Sequence, residues 1–349
     1  MPHTQSRQPK RELIEMDIFT HADPLNDSEL ARLAEDAMEL YPPPVQGEPR
    51  LFTRSENATF RIDAGSQSYA LRIHRSRYHQ KQDIESELAW LDALDRDLGI
   101  HVPRPVSSER GERVLTLIAP DGTHRHAVLF RWMEGTMPTT DVEPQSFQRL
   151  GEITARLHQH SRNWLRPEGF HRIIWNHETM VGSNAHWGDW HDVPGLSPED
   201  VSTIETAVRR IDEQMDAFGK SPERYGLIHA DLRLTNLLLH DGDTRVIDFD
   251  DCGLGWFMHD LAAAISFEEH HPGAPEWIRN WLEGYERVTP IGDEERSLIP
   301  AFITQRRIQM TSWVGSHSQT AMARSLGPEW LGHTVRLCCE FLNSSTPWQ

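Results

Sequence analysis

Cysteine is scarce in this chain, and the little there is does not pair. Of three cysteines in 349 residues, Cys338 and Cys339 are neighbours in an expected helix and Cys252 stands alone. An odd count with no C-x-x-C and no Cys/His ligand spacing argues against a disulfide framework and against structural zinc. Long apolar runs are missing too. No stretch approaches the ~20 residues that span a bilayer. The first ten residues, M-P-H-T-Q-S-R-Q-P-K, lack the apolar core of a secretory signal. A cytoplasmic location with no membrane partner is the expectation. Positive charge is outweighed, 35 Lys and Arg against 53 Asp and Glu, for a formal net charge of −18. That balance disfavours nucleic acid as a partner and is compatible with a cationic substrate, although acidity serving only solubility accounts for it equally well.

What is present reads as two unlike halves. Residues 1–25 form a leader expected to be disordered. Asn26 offers an N-cap, with Glu29 three residues later, for a helix ending before Pro42-Pro43-Pro44. Alternating runs at Thr59–Asp63 and Ser68–His74 around Gly65 predict a hairpin. A helix from Gln82 to Leu98 carries Ile84, Leu88, Leu91 and Leu94 on one face, and two strands follow at Arg113–Ile118 and His126–Met133. After Glu134-Gly135 helical periodicity takes over, at Phe147–His160 and Pro198–Phe218 and, from Trp256 on, through most of the remaining chain. The pattern predicts an α+β, two-lobed molecule. Residues 26–134 would be a small antiparallel lobe with one interposed helix, and 135–349 a larger, mainly helical lobe.

The chemistry concentrates between residues 227 and 251. Leu227-Ile228 leads into His229-Ala230-Asp231, and Asn236 follows five residues after the Asp. Phosphoryl transfer needs a carboxylate to orient the attacking hydroxyl and take its proton, and oxygen ligands for magnesium. Asp231 suits the first task and Asn236 the second. The next apolar run, Thr244 to Phe249, delivers Asp248 as a second metal ligand. Asp241-Gly242 between the two runs is a hairpin signal, which would return Asn236 and Asp248 to one end of a ladder. The competing reading of these residues is a capped hairpin and nothing more.

The segment H-A-D-L-R-L-T-N…V-I-D-F-D-D…H-D-L-A-A-A resembles the aminoglycoside phosphotransferase and choline kinase family, over roughly residues 30 to 342. S-E-N-A-T-F-R-I and the Trp-rich middle look most like its homoserine kinase, hydroxylysine kinase and stress-response kinase branch. The resemblance implies a protein-kinase-like fold and an ATP- and Mg2+-dependent transfer to a hydroxyl. It implies that His229 supports the catalytic loop and that Asp260 accepts hydrogen bonds from that loop's backbone. Ser55, Glu56 and Asn57 would lie in the loop covering the nucleotide, which has no glycine here. Arg72 stands where the family carries a phosphate-binding Lys, a substitution that is not conservative. Its expected partner is Glu87, on the apolar helix face, where a carboxylate needs a cation. The strand ending at Arg131 and Met133 would form the hinge whose backbone binds adenine.

About a dozen residues separate Asp248 from Asp260, too few for a long regulatory segment or an extended peptide site. A small hydroxylated acceptor is therefore favoured: an amino alcohol, hydroxy amino acid, sugar or aminoglycoside. A Ser/Thr protein kinase is the first alternative and a nucleotide-binding pseudokinase, suggested by Arg72, the second. Glu268, Glu269 and the Trp164–Trp190 stretch are the acceptor-pocket candidates, for contacts with an amine.

Overall fold

The computed structural model describes residues 23–138, 145–318, 320–346 and 348. Residues 1–22 of the expected leader lie outside them. The fold starts at the end of that segment, because Asp23 accepts two hydrogen bonds from the buried guanidinium of Arg125 (2.7 and 2.8 Å) and Leu25 is buried.

Asn26 caps α1 (Asp27–Met38), and Glu29 closes the capping box. Three strands follow: β1 (Pro49–Arg54), β2 (Ala58–Ala64) and β3 (Gln67–Ile73). Helix α2 (Lys81–Leu98) stops at Gly99, whose left-handed conformation (φ 60°) costs glycine little. Then come β4 (Pro105–Val106), β5 (Leu115–Ile118) and β6 (His124–Arg131). The sheet runs β1-β2-β3-β6, and β4 and β5 both pair with β6. All its pairings are antiparallel.

Alternation of side chains across these strands feeds two different cores. Phe60, Ile62, Leu71 and Ile73 join Leu30, Leu33 and Tyr41 in a core under α1. Val128 and Phe130 face the other way, with Leu88 and Leu91 of α2, into a core continuous with the helical lobe. That second core couples the lobes, since it is apolar burial that neither could complete alone.

The helical lobe contains α3 (Gln145–Asn163), β7 (Ile174–Trp175), α4 (His177–Met180), α5 (Pro198–Phe218), β8 (Tyr225–Ile228), β9 (Leu237–His240), β10 (Asp243–Val246) and β11 (Gly253–Trp256). It closes with α6 (His259–Ala264), α7 (Ala274–Glu286), α8 (Asp293–Ser297), α9 (Ile299–Ser316), α10 (Ala321–Ser325) and α11 (Glu329–Leu342). Helix α9 is buried on nearly every side and includes Arg306, Arg307 and Gln309 among its buried residues.

Three expectations need correction. β1 was not foreseen, because its side chains are mostly exposed and show no alternation. The strand expected to reach Phe249 ends at Val246, where the chain turns to give Asp248 a left-handed conformation (φ 63°). Trp256, placed at the start of the helical tail, instead ends β11, which pairs with β8 and β7.

Candidate active site

The β9–β10 hairpin does what its turn residues predicted. Val246 pairs with Leu237, and Ile247 N–H donates to Asn236 O at 3.0 Å, so Asn236 and the residue before Asp248 are neighbours at one end of the ladder. Asn236 donates its amide to Asp231 O (2.7 Å) and to Asp231 Oδ2 (3.0 Å), which leaves its own carbonyl oxygen for another partner.

The loop carrying Asp231 is held from beneath. Ala230 sits in the left-handed region (φ 67°), where an L-residue pays a conformational cost. Asp260, fully buried at the start of α6, offsets that cost by accepting from Ala230 N–H (2.7 Å) and His229 N–H (3.1 Å). The sequence resemblance implied this role. His158, which sequence reasoning missed, braces Asp260 from behind (Nε2 to Oδ2, 2.9 Å) and contacts Tyr285 Oη at 2.9 Å. Burial alone would raise the Asp260 carboxyl, but the His158 hydrogen bond and nearby imidazoles hold it below its ordinary value. His229 is buried, which lowers its pKa, and its Nε2 lies 3.1 Å from Ile247 O, tying the loop to the strand that delivers Asp248.

Asp231 faces a cleft of about 680 Å³. Two arginines flank it. Arg233 lies at 3.2 Å, and Arg306 Nη2 donates to Oδ1 at 2.9 Å. Every arm of Arg306 is engaged, with Nε on Ser266 Oγ and Nη1 on Gln309 Oε1, so it is a fixed group rather than a mobile one. Asp248 opens on the same cleft. Desolvation in the cleft and the nearby charges of Asp250 and Asp231 push its carboxyl up to about 7.

The resulting donor set is oxygen-only, from Asn236 and Asp248, and it carries repulsion that a divalent cation would relieve. It fits magnesium-type coordination. Such an ion, held by these residues, would offset the negative charge of a transferring phosphate.

Arg72 on β3 is buried, and its Nη2 reaches both oxygens of Glu87 on α2 at 2.8 and 2.6 Å. Its Nε donates to His74 Nε2 at 3.2 Å. The Arg thus takes the position and the carboxylate partner expected of a Lys, with one arm committed to each neighbour. Ser55 and Asn57 lie in the β1–β2 turn and line the cleft. Asn57 is fixed by Asp250 Oδ2 (2.8 Å), whereas Ser55 is exposed. Arg131 and Met133 also line it. Arg131 N–H is donated to Arg104 O and Trp132 N–H to Ser68 O, so these two N–H groups are taken and a base would look to the N–H of Met133 and to backbone carbonyls.

The acceptor-pocket candidates fare differently. Glu269 is buried in an ion pair with Arg307 (2.6 Å), and neither it nor Glu268 lines the cleft. Of the Trp164–Trp190 stretch only Trp187 lines it; Trp175 and Trp190 are core, and Trp164 packs on Phe170. Two of the cleft residues that sequence reasoning missed come from α9. Trp313 and Arg306 line the cleft, and Trp313 Nε1 donates to Glu56 Oε1 at 2.7 Å. Glu56, assigned to the nucleotide loop, lines the cleft beside Ser55 and Asn57 and is held by α9, and its other oxygen lies 3.2 Å from Arg75. No local motif surrounds Arg306 or Trp313; an unusually uniform burial of α9 was the only available signal.

A family model described as "Phosphotransferase enzyme family" matches residues 50–298. The chain belongs to this family. A solved structure described as a microcompartment-associated aminopropanol kinase is 36% identical, covers 91% of this chain and 99% of its own, and superposes with a TM-score of 0.83. A homoserine kinase from Gluconobacter oxydans (strain 621H) is 24% identical over 77% of this chain and 83% of its own. An amicoumacin kinase solved with AMP-PNP, Ca2+ and Ami is 23% identical over 93% of this chain and 96% of its own, with a TM-score of 0.74, and shares the fold. This phosphotransferase thus has the protein-kinase-like α+β architecture. Among the described residues no helix is long and apolar enough to cross a membrane.

Proposed function

We propose that this chain is a cytoplasmic, magnesium-dependent kinase that moves the γ-phosphoryl group of ATP to the hydroxyl of a small aminated alcohol. The observation that carries the reading is the convergence of Asp231, Asn236, Asp248 and Arg72, the last held by Glu87, on one cleft. Asp231 orients the acceptor hydroxyl and takes its proton as the new O–P bond forms and the bond to the β–γ bridging oxygen breaks. Asn236 and Asp248 would hold the magnesium ion. Arg72, fixed by Glu87, contacts the donor phosphates, and Ser55, Asn57 and the backbone at Met133 enclose the nucleotide. Arg306 keeps Asp231 in one orientation, which is the larger part of what such a site supplies.

The acceptor reading rests on the 36%-identical aminopropanol kinase and on Phe267, Trp187 and Trp313, which wall the cleft and suit a compact partner. Transfer of label from γ-labelled ATP, with Mg2+, to a panel of amino alcohols, hydroxy amino acids, sugars and aminoglycosides tests the reading. We expect label on an amino alcohol. Asp231→Asn should lower kcat by about 10²- to 10⁴-fold while nucleotide affinity is kept. Label confined to protein in a cell extract would overturn the small-molecule acceptor, and an unchanged rate in the variant would remove Asp231 from the mechanism.

A further inference from the structure

At the wall of the cleft lies a second polar cluster to which phosphoryl transfer assigns no role: Asp250 and Asp251 line the cleft, whereas His79 does not. His79 follows β3 on the approach to α2 and is only 5% exposed. Its Nε2 is shut off from water and has no hydrogen-bond partner. That is costly for a buried imidazole and calls for a physical reason. The nitrogen points at Asp250 Oδ2 across 3.7 Å. The gap is too long for a hydrogen bond. It is also too short for a bridging water, which would hold the two atoms roughly 4.5 Å apart with hydrogen bonds of ordinary length. Metal bonds of about 2.1 Å to nitrogen and oxygen, opened to 110–120°, place the two ligand atoms about 3.5 Å apart. A third donor is at hand, because ligand atoms of His79, Asp250 and Asp251 all lie within 4.8 Å of one another.

We infer that His79, Asp250 and Asp251 form a binding site for a first-row transition-metal dication, separate from the magnesium ligands Asn236 and Asp248. One imidazole and two carboxylates form a donor set that suits Zn2+, Mn2+, Fe2+ or Co2+, whereas an all-oxygen set suits Mg2+. The two carboxylates balance the charge of the ion. Each is oriented from outside, Asp250 by Asn57 Nδ2 (2.8 Å) and Asp251 by Tyr78 Oη (2.6 Å), as ligating carboxylates are. Two arginines border the cluster without taking Oδ2 of Asp250: Arg172 donates to the Asp250 backbone oxygen, and Arg72 Nη1 stands 3.8 Å from Oδ1, the oxygen that His74 Nδ1 faces at 3.3 Å, with the other nitrogens of the Arg72 guanidinium committed to Glu87 and His74. The ion ties the segment after β3 to the segment after β10. Through Asn57 it also steadies the turn over the nucleotide.

The test is a titration of chelator-treated, full-length protein with Co2+ in excess Mg2+, followed by visible absorption. Wild type should hold a single Co2+ that Mg2+ does not displace. His79→Gln should weaken that binding by at least about tenfold. His79→Cys should restore it with a new thiolate charge-transfer band, and Asp248→Asn should bind as wild type does. Three results would overturn the site: no Co2+ retained by wild type against Mg2+, undiminished affinity in His79→Gln, or loss of binding in Asp248→Asn. If His79→Gln is not folded by circular dichroism, Asp251→Asn takes its place. That variant keeps a partner for Tyr78, and the same loss is expected.

Discussion

On the proposed reading, the Arg72–Glu87 pair of the nucleotide side is assembled from nearby sequence, and the contacts that α9 makes in the cleft are not. Arg72 and Glu87 are 15 residues apart, on a strand and the helix that follows it. Arg306 reaches Asp231 from 75 residues further along, and Trp313 meets Glu56 across 257. Each end is therefore constrained differently. The nucleotide end is set by a short strand–helix unit whose geometry many acceptor sites can share. The acceptor end depends on how one buried helix is seated, which is where relatives of one fold can diverge in what they phosphorylate.

Breaking the element common to both ends should have the largest effect. Asp260→Asn removes the charge that holds His229 and Ala230, and loss of hydrogen bonds to a charged group of this kind costs about 1.5–3 kcal/mol. The sign of its pH dependence follows from the depressed carboxyl. The stabilisation is present above the unfolded-state value of 3.8 and is lost as pH falls through the lower folded-state value. Thermal melts should thus show the wild type and variant furthest apart at neutral pH and converging under acid. A constant gap would contradict the assignment.

Arg306→Met separates the two ends. It keeps the bulk over Trp187, loses the hydrogen bond to Asp231, and should reduce kcat by roughly 10²-fold with nucleotide affinity little changed. A rise in the KM for ATP with kcat intact would instead place Arg306 on the nucleotide side. The smallest effect is expected from Arg72→Lys. A point charge can still reach Glu87 but cannot serve His74 at the same time, so the KM for ATP should rise by about tenfold or less. An improved KM would show that the guanidinium is a compromise. The chain has three lysines, Lys10, Lys81 and Lys220, against a large excess of arginine, so an Arg at this position agrees with its wider usage.

The same contrast explains what could be read from the sequence. His229, Asp231, Asn236 and Asp248 were legible because one loop and one hairpin place them, and turn chemistry at Asp241-Gly242 sets that geometry locally. Glu87 was legible from its position on an apolar helix face. Arg306 and Trp313 were not, because α9 is buried all round and carries no one-sided pattern to say which face meets the cleft. Glu269 misled for a related reason. Its buried partner, Arg307, lies in that same helix. β1 was invisible because alternation marks a strand only where one face is covered.

The dependence of His229 and Ala230 on Asp260 also bears on how the protein folds. The loop borrows its acceptor from a helix about 30 residues further on, so its strained backbone has nothing to hold it until that helix has docked. Closure of such a contact comes late when sequence-local structure forms early. On refolding, turnover should return after helical content does. A nascent chain that stops short of α6 carries the whole motif and none of its geometry.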